Sequence, residues 1–402
     1  MNEATLDYVR QHADDDVRKL ALQGVKDTDV DLQMALQQIA GRQTARRKLP
    51  SWAAVEGIIY PPHLNMEQCS SEQTARYKAK IVNGKSVNGK FADLTGGFGV
   101  DFYWMSQSFL DCYYIEQNEK LCAISSENFR TLGLECSVCC CDAVTYLTRM
   151  PHVDLIYMDP ARRNVHGGRT YDIEDCTPNV IELLPLLMEK ANRVMLKLSP
   201  MLDWRKATDD LKYVREVHIV SVDNECKELL LLLDKEATEE LRVVCVNDDK
   251  TFEFFPSRGN TFSLTEQNGL SLAEKRPFSE RETAFLYEPN ASIMKAGCFK
   301  ELAERFSVHQ ISANSHLFLS SVEIDDFPGR GFQISSISSM NKQELRTALK
   351  DTERANISVR NFPLSPDQLR KKLKLKDGGD TYIFATTTSD GAHRLYICRK
   401  IG

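Results

Sequence analysis

The sequence predicts an α/β protein built on a doubly wound, mostly parallel sheet, with a helical segment before it and a small α+β region after it. Three observations predict this. From Lys90 to Asp234 short apolar runs alternate with helical stretches, the βαβ rhythm of a parallel sheet with helices on both faces. The first run leads into Asp93-Leu94-Thr95-Gly96-Gly97-Phe98-Gly99, a loop whose backbone can approach a ligand closely. Only Asp223-Asn224-Glu225 separates the last two runs, so an antiparallel strand should finish the sheet.

The strands are expected at Phe91–Thr95, Cys112–Glu116, Ser137–Cys141, Val153–Asp159, Arg193–Ser199, Val217–Val222 and Leu229–Asp234. Ahead of them Asn2 to Lys48 reads as helical. Leu32, Ala35, Leu36 and Ile39 form one apolar stripe, Thr28 and Asp31 suggest a capping box, and Pro50 ends the helix. Ser70-Ser71 caps a further helix through Tyr77. Behind the sheet, Leu241–Val246 and Thr251–Phe255 should form a hairpin, followed by a polar connection from Ser257 to Glu280. A mixed unit then begins near Tyr287. Its helices are expected near Ile293–Phe306, Lys342–Lys350 and Pro366–Leu373, and its strands near His316–Val322, Gln333–Ile337, Ile357–Val359, Thr381–Thr387 and Arg394–Arg399. The expected organisation is a helical segment over 1–75, a sheet domain with its added hairpin over 76–256, a connection over 257–285, and two small segments over 286–327 and 328–402.

With 402 residues, 42% hydrophobic and 27% charged, the chain exceeds the roughly 250–300 residues at which a single core stops growing, so several units are expected. The longest aliphatic run, Leu229 to Leu233, falls far short of the about 20 residues of a membrane helix. The polar stretch from Met1 to Lys19 lacks a signal-peptide pattern. A soluble, cytoplasmic protein is expected. The twelve cysteines are scattered, several in apolar runs (Cys139, Cys140, Cys141, Cys245), and read as reduced core thiols. Cys136-Ser137-Val138-Cys139 is a lone CxxC with no second ligand pair, so no metal is expected. A net charge of −6 excludes a protein coated in positive charge and confines any nucleic-acid contact to local patches.

Ligands of a doubly wound sheet bind beyond the carboxyl ends of its strands. At the first such end Gly96, Gly97 and Gly99 leave room for a cofactor, Thr95 lies among them, and Asp93 can accept from a cofactor ammonium or an ordered water. At the second, Glu116 lies about 20 residues on, where a carboxylate can take both ribose hydroxyls. A NAD site would meet the same two conditions. The third and fourth ends separate the readings: Asp142-Ala143 suits an adenine amino group, and Asp159-Pro160 has no place in a NAD site.

Together these residues resemble the class I methyltransferases, whose sheet is Rossmann-like and seven-stranded. Ser70-Ser71-Glu72-Gln73-Thr74-Ala75 and the helix containing Asn128-Phe129-Arg130 are similar to the trimethylguanosine-synthase-like RNA branch. Glu288-Pro289-Asn290 and the run from Leu369 to Tyr382 resemble the bacterial methyltransferases that carry a small ferredoxin-like segment and a THUMP-like C-terminal domain. The resemblance implies S-adenosyl-L-methionine as cofactor, held by Asp93, Thr95, Gly96, Gly97, Gly99, Glu116, Asp142 and Ala143. It implies a reaction centre at Asp159, Pro160 and Arg162. Exocyclic-amine methylases place a second proline and an aromatic ring where this chain has Ala161 and Arg162. Arg162 can instead stack on a base or pair with a phosphate.

Methyl transfer requires in-line approach and, for some nucleophiles, proton removal. Asp159 can orient or deprotonate an amine or hydroxyl. Carbon methylation would need a cysteine nucleophile, and Cys176, read as a surface thiol, is a remote candidate. Arg163, Arg169 and Tyr171, in a segment with His166 and two glycines, have the composition of a lid that contacts phosphate and base. Two basic clusters, Arg42 to Lys48 and Arg370 to Lys376 with Lys371 and Lys372, fit either a solvated face or an RNA track. THUMP-like domains deliver structured RNA to a catalytic domain, so the resemblance implies tRNA or rRNA as partner and substrate. The alternatives are a methyltransferase of a protein or small molecule, and an inactive cofactor-binding RNA module.

Overall fold

The structure is a computed structural model and describes residues 1–83, 89–162, 173–236, 240–256 and 283–401. The chain divides into two compact units, Met1–Val217 with Leu229–Glu240, and His218–Glu228 with Leu241–Gly402. Among the described residues no helix is long and apolar enough to cross a membrane.

The first unit opens with α1 (Glu3–Gln11), α2 (Val17–Gln23) and α3 (Leu32–Lys48), capped by the side chains of Asn2, Asp16 and Asp31. The expected cap at Thr28 is not the one used. Asp31 accepts the Met34 N–H and starts α3 itself, because its carboxylate satisfies an otherwise orphaned donor. Leu49 closes α3, and Pro50 opens a short helix, α4 (Pro50–Ala53), at a first-turn position where a missing N–H costs nothing. Then come α5 (His63–Gln68) and α6 (Glu72–Val82), the latter capped by Ser71 as expected.

The sheet follows as β1 (Lys90–Asp93), α7 (Val100–Ser106), β2 (Asp111–Glu116), α8 (Glu119–Thr131), β3 (Ser137–Cys140), α9 (Ala143–Arg149) and β4 (Val153–Met158). A two-stranded ladder, β5 (Ala161–Arg162) with β6 (Cys176–Thr177), precedes α10 (Val180–Lys190), β7 (Ala191–Leu198), α11 (Trp204–Asp210), β8 (Val214–Val222) and β9 (Glu225–Asp234). The strand order is β8-β9-β7-β4-β1-β2-β3, parallel from β3 to β7 with β9 antiparallel to β7. The antiparallel finish matches the sequence expectation, whereas the sheet has nine strands in place of seven, two more continuing past β8. Asp223 and Asn224, at φ 51° and 60°, supply the left-handed pair that a tight hairpin needs. Phe102 meets the rings of Tyr114 and Phe129 at 5.4 and 5.2 Å, fixing α7 and α8 against the sheet.

In the second unit β10 (Arg242–Asn247) and β11 (Lys250–Phe254) form the expected hairpin. The polar connection lies outside the described residues. Next come β12 (Phe285–Pro289), α12 (Ala291–Ala296), α13 (Phe299–Phe306), β13 (His309–Gln310), β14 (Phe318–Ser320), β15 (Gly329–Ser338), α14 (Lys342–Ala348), β16 (Asn356–Arg360), α15 (Pro366–Leu373), β17 (Thr381–Thr387) and β18 (His393–Lys400). They make one sheet, β13-β14-β12-β15-β18-β17-β16, in which only β16 and β17 pair in parallel. The single helix expected over Ile293–Phe306 is two, because Gly297 takes a left-handed conformation and ends the first. Where β12 crosses β15, a Cβ on Gly329 would lie 2.1 Å from the Glu288 carbonyl oxygen. The buried Glu288 carboxylate binds Arg330 and, at 2.9 Å, Arg360, while Asn290 caps α12. Glu288-Pro289-Asn290 is thus a structural joint.

Candidate active site

The carboxyl ends of β1 to β4 bring the expected residues together. Asp93, buried at the end of β1, accepts the Thr95 N–H at 2.9 Å. The Thr95 hydroxyl in turn accepts the Asp159 N–H at 2.7 Å, which ties the first strand end to the fourth. Gly96 donates to the Ile115 carbonyl at 2.8 Å and Gly97 to Glu116 Oε2 at 2.8 Å, tying the first to the second. The other oxygen of Glu116 accepts from Asn118 N at 2.7 Å. Each carboxylate oxygen keeps a second lone pair, so Glu116 can still receive ribose hydroxyls.

The loop is held from beneath by Tyr114, whose hydroxyl donates to the Gly97 carbonyl at 2.5 Å. A Cβ on Gly96 would lie 2.2 Å from the Tyr114 ring, and one on Gly99, at φ 81°, 2.5 Å from Phe129. These glycines are required by the packing below the loop as well as by access above it. Asp142 caps α9 through the Thr145 N–H at 2.9 Å and is exposed, with the buried Ala143 next to it. Such a cradle, with backbone amides and carboxylates at successive strand ends, fits a nucleoside cofactor carrying an ammonium group. When bound, S-adenosyl-L-methionine supplies an electrophilic methyl group.

Asp93 is held well above the ordinary carboxylate range. Burial is the main cause, opposed by the Thr95 N–H and reinforced by Asp101, Asp159 and Glu116. Asp159 has a close cationic partner that the sequence did not suggest: Lys197, from the end of β7, donates to its carboxylate. Met158 and Leu196 are register partners, so the next residue on each strand stands beside the other. Deeper in the unit Lys78 is fully buried and lies 3.2 Å from Asp101. Asp101 also accepts from Ser70 at 2.8 Å and from Tyr157 at 2.7 Å. Burial pushes the Asp101 carboxyl up, but Lys78, Lys197 and the two hydroxyls outweigh it and hold it below its usual value. The signal for this network was Lys78 itself, a lysine on the same helical stripe as the buried Ala75 and Val82.

Pro160 is buried beside Asp159. Arg162 is in the small ladder, paired in register with Cys176. Cys176 is 4% exposed, which corrects its reading as a surface thiol: the β5–β6 pairing turns it inward. All twelve cysteines are free, but the core placement holds only for some of them. Cys245 is buried, whereas Cys139 and Cys141 are half-buried and Cys140 is exposed, because β3 is an edge strand. Among the described residues no cluster of three or more His, Cys, Asp or Glu could hold a metal. Arg163, Arg169 and Tyr171 lie outside the described residues. Lys371 and Lys372 are exposed on α15 of the second unit.

The fold and these strand ends define a class I S-adenosylmethionine-dependent methyltransferase. Residues 329–400 match the family model described as THUMP domain-like, and 285–328 that of a ferredoxin-like domain. A crystal structure from Porphyromonas gingivalis W83, described as a methyltransferase, is similar at 30% identity and TM-score 0.85, over 99% of this chain and 98% of that one. An uncharacterized S-adenosylmethionine-dependent methyltransferase of Mycobacterium tuberculosis is 23% identical over 347 residues, 83% of this chain and 87% of the relative. The chain belongs to the same family as the P. gingivalis protein, S-adenosylmethionine-dependent methyltransferases with a ferredoxin-like segment and a THUMP-like C-terminal domain.

Proposed function

We propose that this methyltransferase acts in the cytoplasm on structured RNA, tRNA or rRNA, which its THUMP-like region captures. The observation that carries the reading is in that region. Lys371, Lys372, Lys374 and Lys376 are exposed on and just after α15, while Arg370 is committed to Asp367 and Asp377 at 2.9 and 2.6 Å. A chain of net charge −6 that nonetheless gathers exposed lysines offers a local footprint for phosphates. In this reading Asp93, Thr95, Gly96, Gly97, Gly99, Glu116, Asp142 and Ala143 hold the cofactor. Asp159 and Pro160 form the reaction centre, with Arg162, and Arg163, Arg169 and Tyr171 receive the RNA.

The test is methyl transfer from tritium-labelled cofactor to total RNA from cells lacking the gene, with protein and metabolite fractions beside it. Label in tRNA or rRNA is expected. Label confined to protein or metabolites would overturn the reading.

A further inference from the structure

The Asp159–Lys197 pair presents its two members unequally: the Lys197 side chain is 13% exposed and that of Asp159 is 39% exposed. The carboxylate is therefore the more open member of the pair, and the ammonium is the more buried one. Beside Asp159 stand Pro160 and Ala161, so 159–161 carry no aromatic ring to hold a base flat. A cysteine nucleophile is not in place either. Cys69, within the field of Lys197 and Lys48, is pushed up to about 11 by burial, and its thiol donates to the Met66 carbonyl at 3.3 Å. Cys176 is buried in the β5–β6 ladder.

We propose that the atom methylated is a hydroxyl oxygen, the ribose 2′-hydroxyl of the RNA, with Asp159 receiving its proton and Lys197 positioning Asp159. This rests on the RNA reading above and names the target within it. A ribose hydroxyl needs no aromatic platform, but it must be aimed and must lose its proton as the new bond forms. Asp159 accepts a hydrogen bond from the hydroxyl and so turns an oxygen lone pair toward the methyl group. The oxygen–carbon bond forms, the carbon–sulfur bond breaks with its electron pair going to sulfur, and the hydroxyl proton passes to the carboxylate. Lys197 fixes the carboxylate while this happens. The buried Lys78–Asp101 pair, whose carboxylate also lies in the field of Lys197, anchors the arrangement from behind.

The test uses the full chain, labelled cofactor and RNA from cells lacking the gene, followed by complete alkaline hydrolysis. A 2′-O-methyl group blocks cleavage at its own phosphodiester, so label is expected in alkali-stable dinucleotides. Label in mononucleotides would overturn the hydroxyl assignment and leave the RNA reading standing. Label only in protein or metabolites would overturn both. In the same assay Lys197→Met should lower kcat at least about 100-fold with little change in KM for RNA or in calorimetric affinity for the cofactor. Lys197→Arg, which keeps the cation, should recover part of the loss. An unchanged kcat in Lys197→Met would remove Lys197 from the mechanism.

Discussion

At Gly96 the loop has no room for a side chain, since a Cβ would sit 2.2 Å from the Tyr114 ring. Gly96→Ala must therefore move either the loop or the ring that carries it. Affinity for S-adenosyl-L-methionine should fall at least about tenfold, a loss near 1.4 kcal/mol, with the far-ultraviolet circular dichroism unchanged; calorimetry checks this. Asp93 has a different constraint. Its raised pKa means that its contribution to stability is present at low pH and is lost as pH rises through the raised value, because the buried carboxyl must then ionise without a counter-charge. Asp93→Asn should thus raise the melting temperature of the cofactor-free protein at neutral pH while weakening cofactor binding. A variant that binds as tightly as the parent would show that Asp93 does not meet the cofactor. Strand-end residues of this kind were legible because each follows directly on an apolar run. Lys197 was not, since the register between the two strands, which decides the side chain that meets Asp159, is not written in either run.

At the scale of elements, the fully buried Lys78 joins α6 to Asp101 in the first turn of α7. Truncating one partner of such a pair leaves a buried charge uncompensated and costs about 3–5 kcal/mol. Lys78→Met should destabilise the fold by that order in urea unfolding, and Lys78→Met with Asp101→Leu should recover much of it. Asp101 is depressed in the folded state, so its contribution is present above the unfolded carboxylate value and is lost as pH falls through the lower folded one. The parent should accordingly lose stability in acid more steeply than the double variant. Element ends were legible where local chemistry marks them: α15 begins at Pro366 behind a Ser365–Gln368 capping box, and β17 runs over Thr381–Thr387 as expected. The break at Gly297 was not, because an isolated glycine in a helical pattern is commonly tolerated. β13, two residues long, is too short to show any period.

For the molecule as a whole, the class was legible because four strand ends in succession carry their expected residue. The substrate side was less so, since a basic helix face has the same appearance whether it meets water or phosphate. Lys371→Glu with Lys372→Glu separates these. Loss of two phosphate contacts should weaken RNA binding and reduce its slope against log salt by about 2, with cofactor affinity unaltered. Equal affinity across a salt titration would return α15 to the role of a solvated face. The seven-stranded sheet of the second unit has a further meaning. The two family matches meet between residues 328 and 329, yet β12 on one side pairs with β15 on the other, and Glu288 bonds Arg330 and Arg360 across the boundary. A cut there would strip β15 of one neighbour and leave a long open edge. The ferredoxin-like and THUMP-like segments therefore share one sheet, and severing them at that boundary should leave neither half whole.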